Sequence, residues 1–352
     1  LDITYFYQGI EEFKVIVIRN VLIKIIGIIC IFTFVKTKAD LSLYVFIYSG
    51  TLLLGNLSMW LTINKHITRV PFKELKIIKH LKPTLILFFP QIAISIYTVL
   101  DKLMIGLITN NTTQIGYYEQ AQKIIKLSLT VVTSLSTVML PRIAHLYAND
   151  DQEKIIDYTK KSLQYTLAIS CPIMFGIMGI ATNLIPWFLG DEFIPSINIL
   201  FVTSPILVFI GISNIVGFQY LIPTQRQKIY TLSTILGSVV NLCLNCILIP
   251  YLLSFGAAIA SVAAELSVDL FQLVCIRKEI NFVDVIKKSK SYFIASFVMF
   301  IGIYLLSKYL YPSVMMTAIL IAIGGIIYLV MLLILRDELL FGTVKKILKR
   351  RS

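Results

Sequence analysis

The sequence has few charged residues for its length, and this scarcity excludes most classes of soluble protein. Of its 352 residues, 14% are charged and 57% are hydrophobic, and the mean hydropathy is +0.83. Soluble domains average about 25% charged residues, because their water-facing surface must be polar. The composition therefore predicts a protein whose main solvent is lipid.

The sequence also lacks the motifs that carry common chemistries. It contains only three His, and each of its five Cys lies inside an apolar run with no His at metal-ligand spacing. It has no Walker-type phosphate loop and no nucleophile elbow. The segments between apolar runs, of about 20 residues at most, leave no room for a soluble catalytic domain. We predict no metal, no cofactor and no enzymatic activity.

Long hydrophobic runs are what the sequence has in abundance. A run of about 20 apolar residues crosses a hydrocarbon core of about 30 Å as a helix, and a helix pairs its own backbone groups in lipid. Such runs predict an all-α, polytopic integral membrane protein with about ten transmembrane helices. They occupy residues 15–34, 43–63, 83–108, 118–140, 162–187, 197–221, 229–249, 255–275, 292–309 and 315–335.

The basic residues predict how the chain is oriented. The formal charge is +13, and 23 of the 32 Lys and Arg fall in alternate segments between runs and in the final tail. The positive-inside rule places these segments in the cytoplasm, so that both ends of the chain are cytoplasmic. The charge therefore indicates membrane topology and contact with lipid, with no nucleic acid as a partner. The segments are residues 65–82, 142–161, 226–228, 277–290 and 336–352.

Charged residues inside the runs are candidates for function, because each costs about 2.5–3.5 kcal/mol to insert. Asp101 and Lys102 lie near the end of one run, and Glu119, Lys123 and Lys126 follow on the next at helical spacing. One interpretation is a polar cavity wall that meets an anionic substrate. The other is a structural ion-pair cluster, for example Asp101 with Lys123.

A second acidic pair, Glu265 and Asp269, lies one helical turn apart in a run of small apolar residues. The pair could couple transport to protons or cations. Alternatively, it could form structural hydrogen bonds with Asn241 or Asn245 on the preceding run. Both interpretations predict side chains that face the bundle interior.

Two cations, Arg19 and Lys24, lie at the cytoplasmic start of the first run. Long cationic side chains at such positions usually extend to the lipid headgroups. Contact with a diphosphate from inside a cavity is the alternative interpretation.

Four segments of the sequence have distinctive patterns. They are residues 2–20 (DITYFYQGIEEFKVIVIRN), 90–106 (PQIAISIYTVLDKLMIG), 115–148 (IGYYEQAQKIIKLSLTVVTSLSTVMLPRIAHLYA) and 241–265 (NLCLNCILIPYLLSFGAAIASVAAE). These segments resemble the Wzx-type oligosaccharide flippases, the polysaccharide biosynthesis branch of the multidrug/oligosaccharidyl-lipid/polysaccharide (MOP) exporter superfamily. The resemblance is most specific in 90–106 and 115–148, and it extends over nearly the whole chain.

The resemblance implies a MATE-like bundle of two six-helix lobes around a central cavity, followed by two further helices. The match begins where the family has its fifth span, so the first four spans have no counterpart in this sequence. The implied domains are 1–82, with the last two helices of the first lobe and a basic loop; 83–276, with the six-helix second lobe; and 277–352, with two extra helices and a basic tail.

The implied function is transport of an undecaprenyl-diphosphate-linked oligosaccharide, a repeat unit of capsule, exopolysaccharide or O-antigen, across the bacterial cytoplasmic membrane by alternating access. Polysaccharide assembly proteins are implied partners. A drug or cation antiporter of the same superfamily is the alternative; a membrane polymerase would need a large outer loop, which is absent. Predicted cavity residues are Arg19, Lys24, Asp101, Lys102, Glu119, Lys123 and Lys126, with Glu265 and Asp269 as predicted ion-coupling residues.

Overall fold

The computed structural model describes residues 2–63, 71 and 77–337. Most of the basic segment at 65–76 and the tail from 338 onward lie outside the described residues. The described residues form helices and connecting turns, with no strand among them. The chain divides into two compact units, Leu1–Lys82 and Pro83–Ser352, here called unit 1 and unit 2.

Unit 1 contains a short helix and two long apolar helices: α1 (Thr4–Gly9), α2 (Phe13–Phe34) and α3 (Leu41–Ile63). Tyr7 is fully buried, and its hydroxyl donates to the Met59 carbonyl oxygen at 2.9 Å, which ties α1 to α3. Most other apolar side chains of α2 and α3 are exposed.

Unit 2 contains the remaining helices, the first of which begins before the unit boundary. Most of its buried side chains lie in two clusters, one around α6, α7 and α8 and the other toward the start of α6. The elements are α4 (Ile77–Thr109), α5 (Thr112–Ala148), α6 (Gln152–Leu189), α7 (Ser196–Thr203), α8 (Ile206–Ser213) with a π-helical continuation (Asn214–Leu221), α9 (Gln227–Ile276), α10 (Phe282–Ser307) and α11 (Val314–Ile334).

The longest element, α9, is a hairpin of two helices joined at a single non-helical residue, Leu253, with φ 54° and ψ −134°. A straight helix of its 50 residues would be about 75 Å long. Instead, Gln272 Nε2 donates to Ser233 Oγ at 2.9 Å, so the two halves run antiparallel. We call the halves α9a (227–252) and α9b (254–276).

The last two helices pack on α6 through polar contacts as well as apolar ones. Thr317 of α11 donates to Asn183 Oδ1 at 2.7 Å and accepts from Trp187 Nε1 at 2.7 Å. The hydroxyls of Thr182 and Ser307, the last residue of α10, are 3.1 Å apart. Hydrogen bonds of this kind hold helices together in lipid, where apolar contact alone gives little driving force.

The prediction of a polytopic helical membrane protein is confirmed. Among the described residues, eight helices are long and apolar enough to cross a membrane, and one of them is the α9 hairpin. Each predicted run lies inside a helix or extends past its end by at most two residues, except that 197–221 is divided among α7, α8 and the π-helix. The helices α4, α5, α6 and α10 begin six to ten residues before their predicted runs. The predicted domain boundary at residue 276, between the six-helix lobe and the two extra helices, stays a prediction.

Candidate functional site

The carboxylate of Asp101 on α4 is a buried charge in unit 2, with its side chain 2% exposed. Its Oδ2 accepts from the Tyr118 hydroxyl at 2.6 Å and from the Ser261 hydroxyl at 2.8 Å. Its Oδ1 accepts from Asn245 Nδ2 at 2.6 Å. One side chain therefore joins α4, α5 and both halves of α9.

Two amides of α9a extend this network. Asn245 Nδ2 also donates to Asn241 Oδ1 at 3.0 Å, and both residues are fully buried. Asn245 Oδ1 and Asn241 Nδ2 have no hydrogen-bond partner in the described part of the chain. Unpaired buried polar atoms cost free energy, and one free acceptor and one free donor could both be satisfied by an ordered water.

Beside this network lies a cavity of about 120 Å³. It is too small for an oligosaccharide, because ligand pockets usually measure about 300–1,000 Å³. It has room for ordered water. The lining comes from α4, α5, α8 and α9b, and it contains two cations and two carboxylates. The lining residues are Asp101, Lys102, Tyr118, Gln122, Lys126, Leu129, Ile206, Ile210, Ser261 and Glu265.

Lys102 forms the ion pair of this site. Its Nζ lies 3.2 Å from Glu119 Oε1, and the two side chains are 32% and 37% exposed. The Asp101–Lys123 pair that we considered from sequence is absent among the described residues, because Asp101 is bonded to Tyr118, Asn245 and Ser261 instead.

The acidic pair of α9b is buried, as a bundle-facing position requires. Glu265 lines the cavity and is 6% exposed, while Asp269 is 2% exposed. Neither carboxylate oxygen of Asp269 has a hydrogen bond of acceptable geometry within the described residues. The expected bonds to Asn241 or Asn245 are therefore not formed by Asp269. Among the described residues, no group of three or more His, Cys, Asp or Glu could hold a metal.

The other predicted cavity residues lie elsewhere. Lys123 is exposed and is not part of the cavity lining. In unit 1, Arg19 donates to Thr4 Oγ1 at 3.3 Å and to Asn56 Oδ1 at 3.4 Å, so it bridges α1, α2 and α3. Lys24 is exposed. These three residues stay predictions.

Sequence reasoning missed the uncharged members of the site. Tyr118, Gln122 and Lys126 recur every four residues, the spacing of one helical face, and all three line the cavity. The spacing was visible in the sequence, but attention to charge selected Lys126 together with Glu119 and Lys123 and left out the uncharged Tyr118 and Gln122. No pattern of spacing in the sequence marks Ser261 as a member of the site.

Residues 5–198, more than half of the chain, match the polysaccharide biosynthesis protein family. The chain belongs to this family. Two family relatives are putative O-antigen transporters from Shigella dysenteriae, 25% identical over 276 residues, and from Escherichia coli (strain K12), 24% identical over 275 residues. Each match covers 78% of this chain, and 68% and 66% of the respective relative.

The family's fold is also seen in a solved structure of the lipid II flippase MurJ in an inward closed conformation. The TM-score is 0.67 at 22% identity, over 90% of this chain and 66% of the other. The chain thus spans about two thirds of the length of these proteins. The predicted membership in the flippase-type polysaccharide biosynthesis proteins, with their helical membrane fold, is confirmed.

Proposed function

We propose that this protein translocates an undecaprenyl-diphosphate-linked oligosaccharide across the bacterial cytoplasmic membrane by alternating access. The single observation that carries the proposal is the charged cavity inside unit 2, with Lys102 and Lys126 in its lining. Charges inside a membrane bundle are costly, so they are retained where they meet a substrate, an ion or each other. The names of the relatives, O-antigen transporters and a lipid II flippase, support this class of substrate.

The lysines would recognise the diphosphate, because ammonium groups bind phosphate oxygens through charge-assisted hydrogen bonds. Lys102 is held by Glu119 at 3.2 Å, so an arriving anion would compete with that carboxylate. Lys126 has no ion pair among the described residues. We therefore assign Lys126 as the first contact of the diphosphate and Lys102 as the second. The small cavity then corresponds to a closed state that must widen to admit sugar.

No chemical step on the substrate is part of this proposal, which agrees with relatives that are named as transporters. Both chain ends are proposed to be cytoplasmic on the basis of the distribution of Lys and Arg. The protein would act with the polysaccharide assembly proteins that supply and use the lipid-linked unit.

One observation favours a second candidate, a drug or cation antiporter. The buried carboxylates of unit 2 include Asp101, Glu265 and Asp269, and buried acids could bind a cationic substrate in exchange for protons. The two lysines in the same cavity weigh against this candidate, because they would repel a cation.

Complementation tests the proposal. The protein would be expressed in a flippase-deficient strain, and surface polysaccharide would be quantified. We expect rescue by the unaltered protein, strong loss with Lys126→Ala and partial recovery with Lys126→Arg. Lys278→Ala serves as the matched control, because Lys278 is exposed and outside the cavity.

The variant Lys123→Ala tests a lysine of α5 that lies outside the cavity lining. Loss with Lys126→Ala but not with Lys123→Ala supports the cavity as the substrate site. If no form restores polysaccharide while membrane insertion is verified, and expression instead confers efflux of a cationic dye, the antiporter function replaces the flippase function.

A further inference from the structure

A second charged site lies at the end of unit 2 where α6 and α10 begin and α11 ends. Two adjoining concavities of about 380 and 390 Å³ share the side chains of Gln164, Lys287 and Lys288. We call them together the basic recess. Its charged lining residues are the cations Lys160, Lys161, Lys287, Lys288, Lys290 and Arg336 and the carboxylates Asp157, Asp284 and Asp337.

The carboxylates do not neutralise the recess. Asp157 is paired with Lys161 at 2.7 Å, and Asp337 accepts from the Ser291 hydroxyl at 2.7 Å. The lysines at 287, 288 and 290 are exposed and form no ion pair within the described residues. Among the described residues, the recess therefore has more cations than carboxylates, which favours an anionic ligand.

The basic recess is separate from the transport cavity. It is lined by the first turns of α6 and α10 and the end of α11, whereas the cavity is lined by α4, α5, α8 and α9b. The two share no residue. A ligand of the recess therefore need not be the transported substrate.

The recess borders a surface that suits lipid chains. Ile286 and Phe293 on α10 are 64% and 54% exposed, and Ile334 at the end of α11 is 66% exposed. Ile286 and Phe293 lie within one turn of the lysines in sequence, and Ile334 lies two residues before Arg336. A group of cations next to exposed apolar side chains matches a molecule with a phosphate head and hydrocarbon tails.

We propose that the basic recess binds the phosphate of an anionic phospholipid headgroup, with the acyl chains along α10 and α11. Lysine ammonium groups are compact charges that bind phosphodiester oxygens, and basic pockets between transmembrane helices hold anionic headgroups. The recess lies at the end of unit 2 that carries the basic segments 142–161 and 277–290. This lipid site is independent of the transported substrate and of the proposed transport function.

Native mass spectrometry of the purified protein in detergent tests the proposal by titration with phosphatidylglycerol and, separately, phosphatidylcholine. We expect retention of phosphatidylglycerol, and a loss of affinity of about tenfold or more in the variant Lys287→Gln/Lys288→Gln/Lys290→Gln. The matched control is Lys14→Gln/Lys228→Gln/Lys278→Gln, which removes the same charge from exposed lysines outside the recess. The control should bind as the unaltered protein does.

Three outcomes of these titrations would overturn the proposal. These are equal retention of phosphatidylcholine, equal weakening in the control variant, and displacement of the lipid by inorganic phosphate at equal concentration. A fourth arm uses farnesyl diphosphate as a probe of polyprenyl carriers. If this probe displaces phosphatidylglycerol from the recess, the site belongs to the substrate's carrier lipid and the proposal of a phospholipid site fails.

Discussion

The long apolar helices of unit 1 bury smaller fractions of their most apolar stretches than those of unit 2 do, 6% and 11% against 17% to 56%. The most apolar stretch of α2 in unit 1 has a mean hydropathy of 2.5 with 11% of its residues buried, whereas that of α6 in unit 2 has 1.8 with 56% buried. Hydropathy therefore identifies helices that can enter lipid but does not identify those that pack. In lipid, apolar contact gives little driving force for helix association.

What distinguishes the packed helices is their small and polar side chains. On the buried face of α6, Ser162 and Asn183 form hydrogen bonds with other helices. Thr166 and Ser170 on the same face are small enough to allow the close approach of Gly211. In unit 1, the comparable contact of α2 among the described residues is the bridge from Arg19 to Thr4 and Asn56. The faces of α2 and α3 that remain exposed are suited to lipid or to further helices.

Replacing Asp101 with Ala should have the largest effect on stability and would test whether polar contacts hold unit 2 together. Three donors, from Tyr118, Ser261 and Asn245, would lose their acceptor in a buried site. We expect unit 2 to lose about 2–4 kcal/mol, because unpaired buried groups cost about 1–3 kcal/mol each and partly find other partners. Thermal unfolding of the purified protein in detergent measures the change.

Two further variants define the comparison for this prediction. Asp191→Ala removes an exposed carboxylate and should leave the melting temperature unchanged. Arg19→Ala, in unit 1, should cost about 1 kcal/mol, since its hydrogen bonds are 3.3 and 3.4 Å long and partly exposed. An Arg19→Ala loss as large as that of Asp101→Ala would contradict the difference between the units.

Replacing one glycine in each unit with Ala should give the next largest changes in stability, and the two changes should have opposite signs. A Cβ on Gly237 of α9a would lie 2.6 Å from Val268 Cγ2, whereas one on Gly50 of α3 meets nothing within 4 Å. Gly237→Ala should destabilise unit 2 by about 1–3 kcal/mol through overpacking. Gly50→Ala should stabilise α3 by about 0.5–1 kcal/mol, because Ala is the better helix former.

Unfolding by denaturant, followed by circular dichroism, compares the two glycine variants. A destabilising Gly50→Ala would show that α3 is tightly packed against another surface. A neutral Gly237→Ala would show that α9a and α9b separate easily and that small residues are not needed at their contact.

The fold was largely predictable from sequence, because transmembrane helices follow from the length and composition of each run alone. The separate runs 229–249 and 255–275 predicted the α9 hairpin correctly, although the turn needs only one non-helical residue, Leu253. The division of 197–221 was not predicted. Its Ser204 and Pro205 interrupt the helix, while hydropathy stays high throughout.

The candidate site was only partly predictable, because its contacts join distant segments. Asp101, Lys102, Lys126 and Glu265 were selected as costly charges, and the structure brings them to one cavity. Asn245 and Ser261, which bind Asp101 across 144 and 160 positions, could not be paired with it from a single sequence. Helical spacing shows which residues share a face but not which face turns inward.

The ion pair between Lys102 and Glu119 should contribute less to stability than Asp101→Ala or Gly237→Ala costs. Lys102 and Glu119 are each about one third exposed, and exposed pairs contribute about 0.2–1 kcal/mol because water screens them. A double-mutant cycle with Lys102→Met and Glu119→Gln, measured by thermal unfolding, should give a coupling energy in this range. The same cycle on Lys161 and Asp157, which are more exposed, should give a smaller value. A coupling well above the range would mean that the pair is shielded from water.

The smallest effects should come from two helix caps, and here the two units should behave alike. In unit 2, the side chain of Lys154 holds the pKa of Asp151 below its usual 3.8, and the Lys154 backbone N–H donates to the same carboxylate. In unit 1, the backbone N–H of Thr37 lowers the pKa of Asp40. A lowered folded pKa means that the stabilisation is present above 3.8 and is lost as the pH falls through the folded value.

Amide hydrogen exchange as a function of pH measures these caps through the protection factors of Lys154 and Thr37. Protection should decrease in both units as the pH falls below about 4, and Asp151→Asn and Asp40→Asn should retain a cap while removing the pH dependence. Capping depends on local backbone geometry and not on how many residues of a helix are buried. If only unit 2 responds to pH, the hydrogen bond from Thr37 to Asp40 requires packing that unit 1 lacks. The two units would then differ at their helix ends as well.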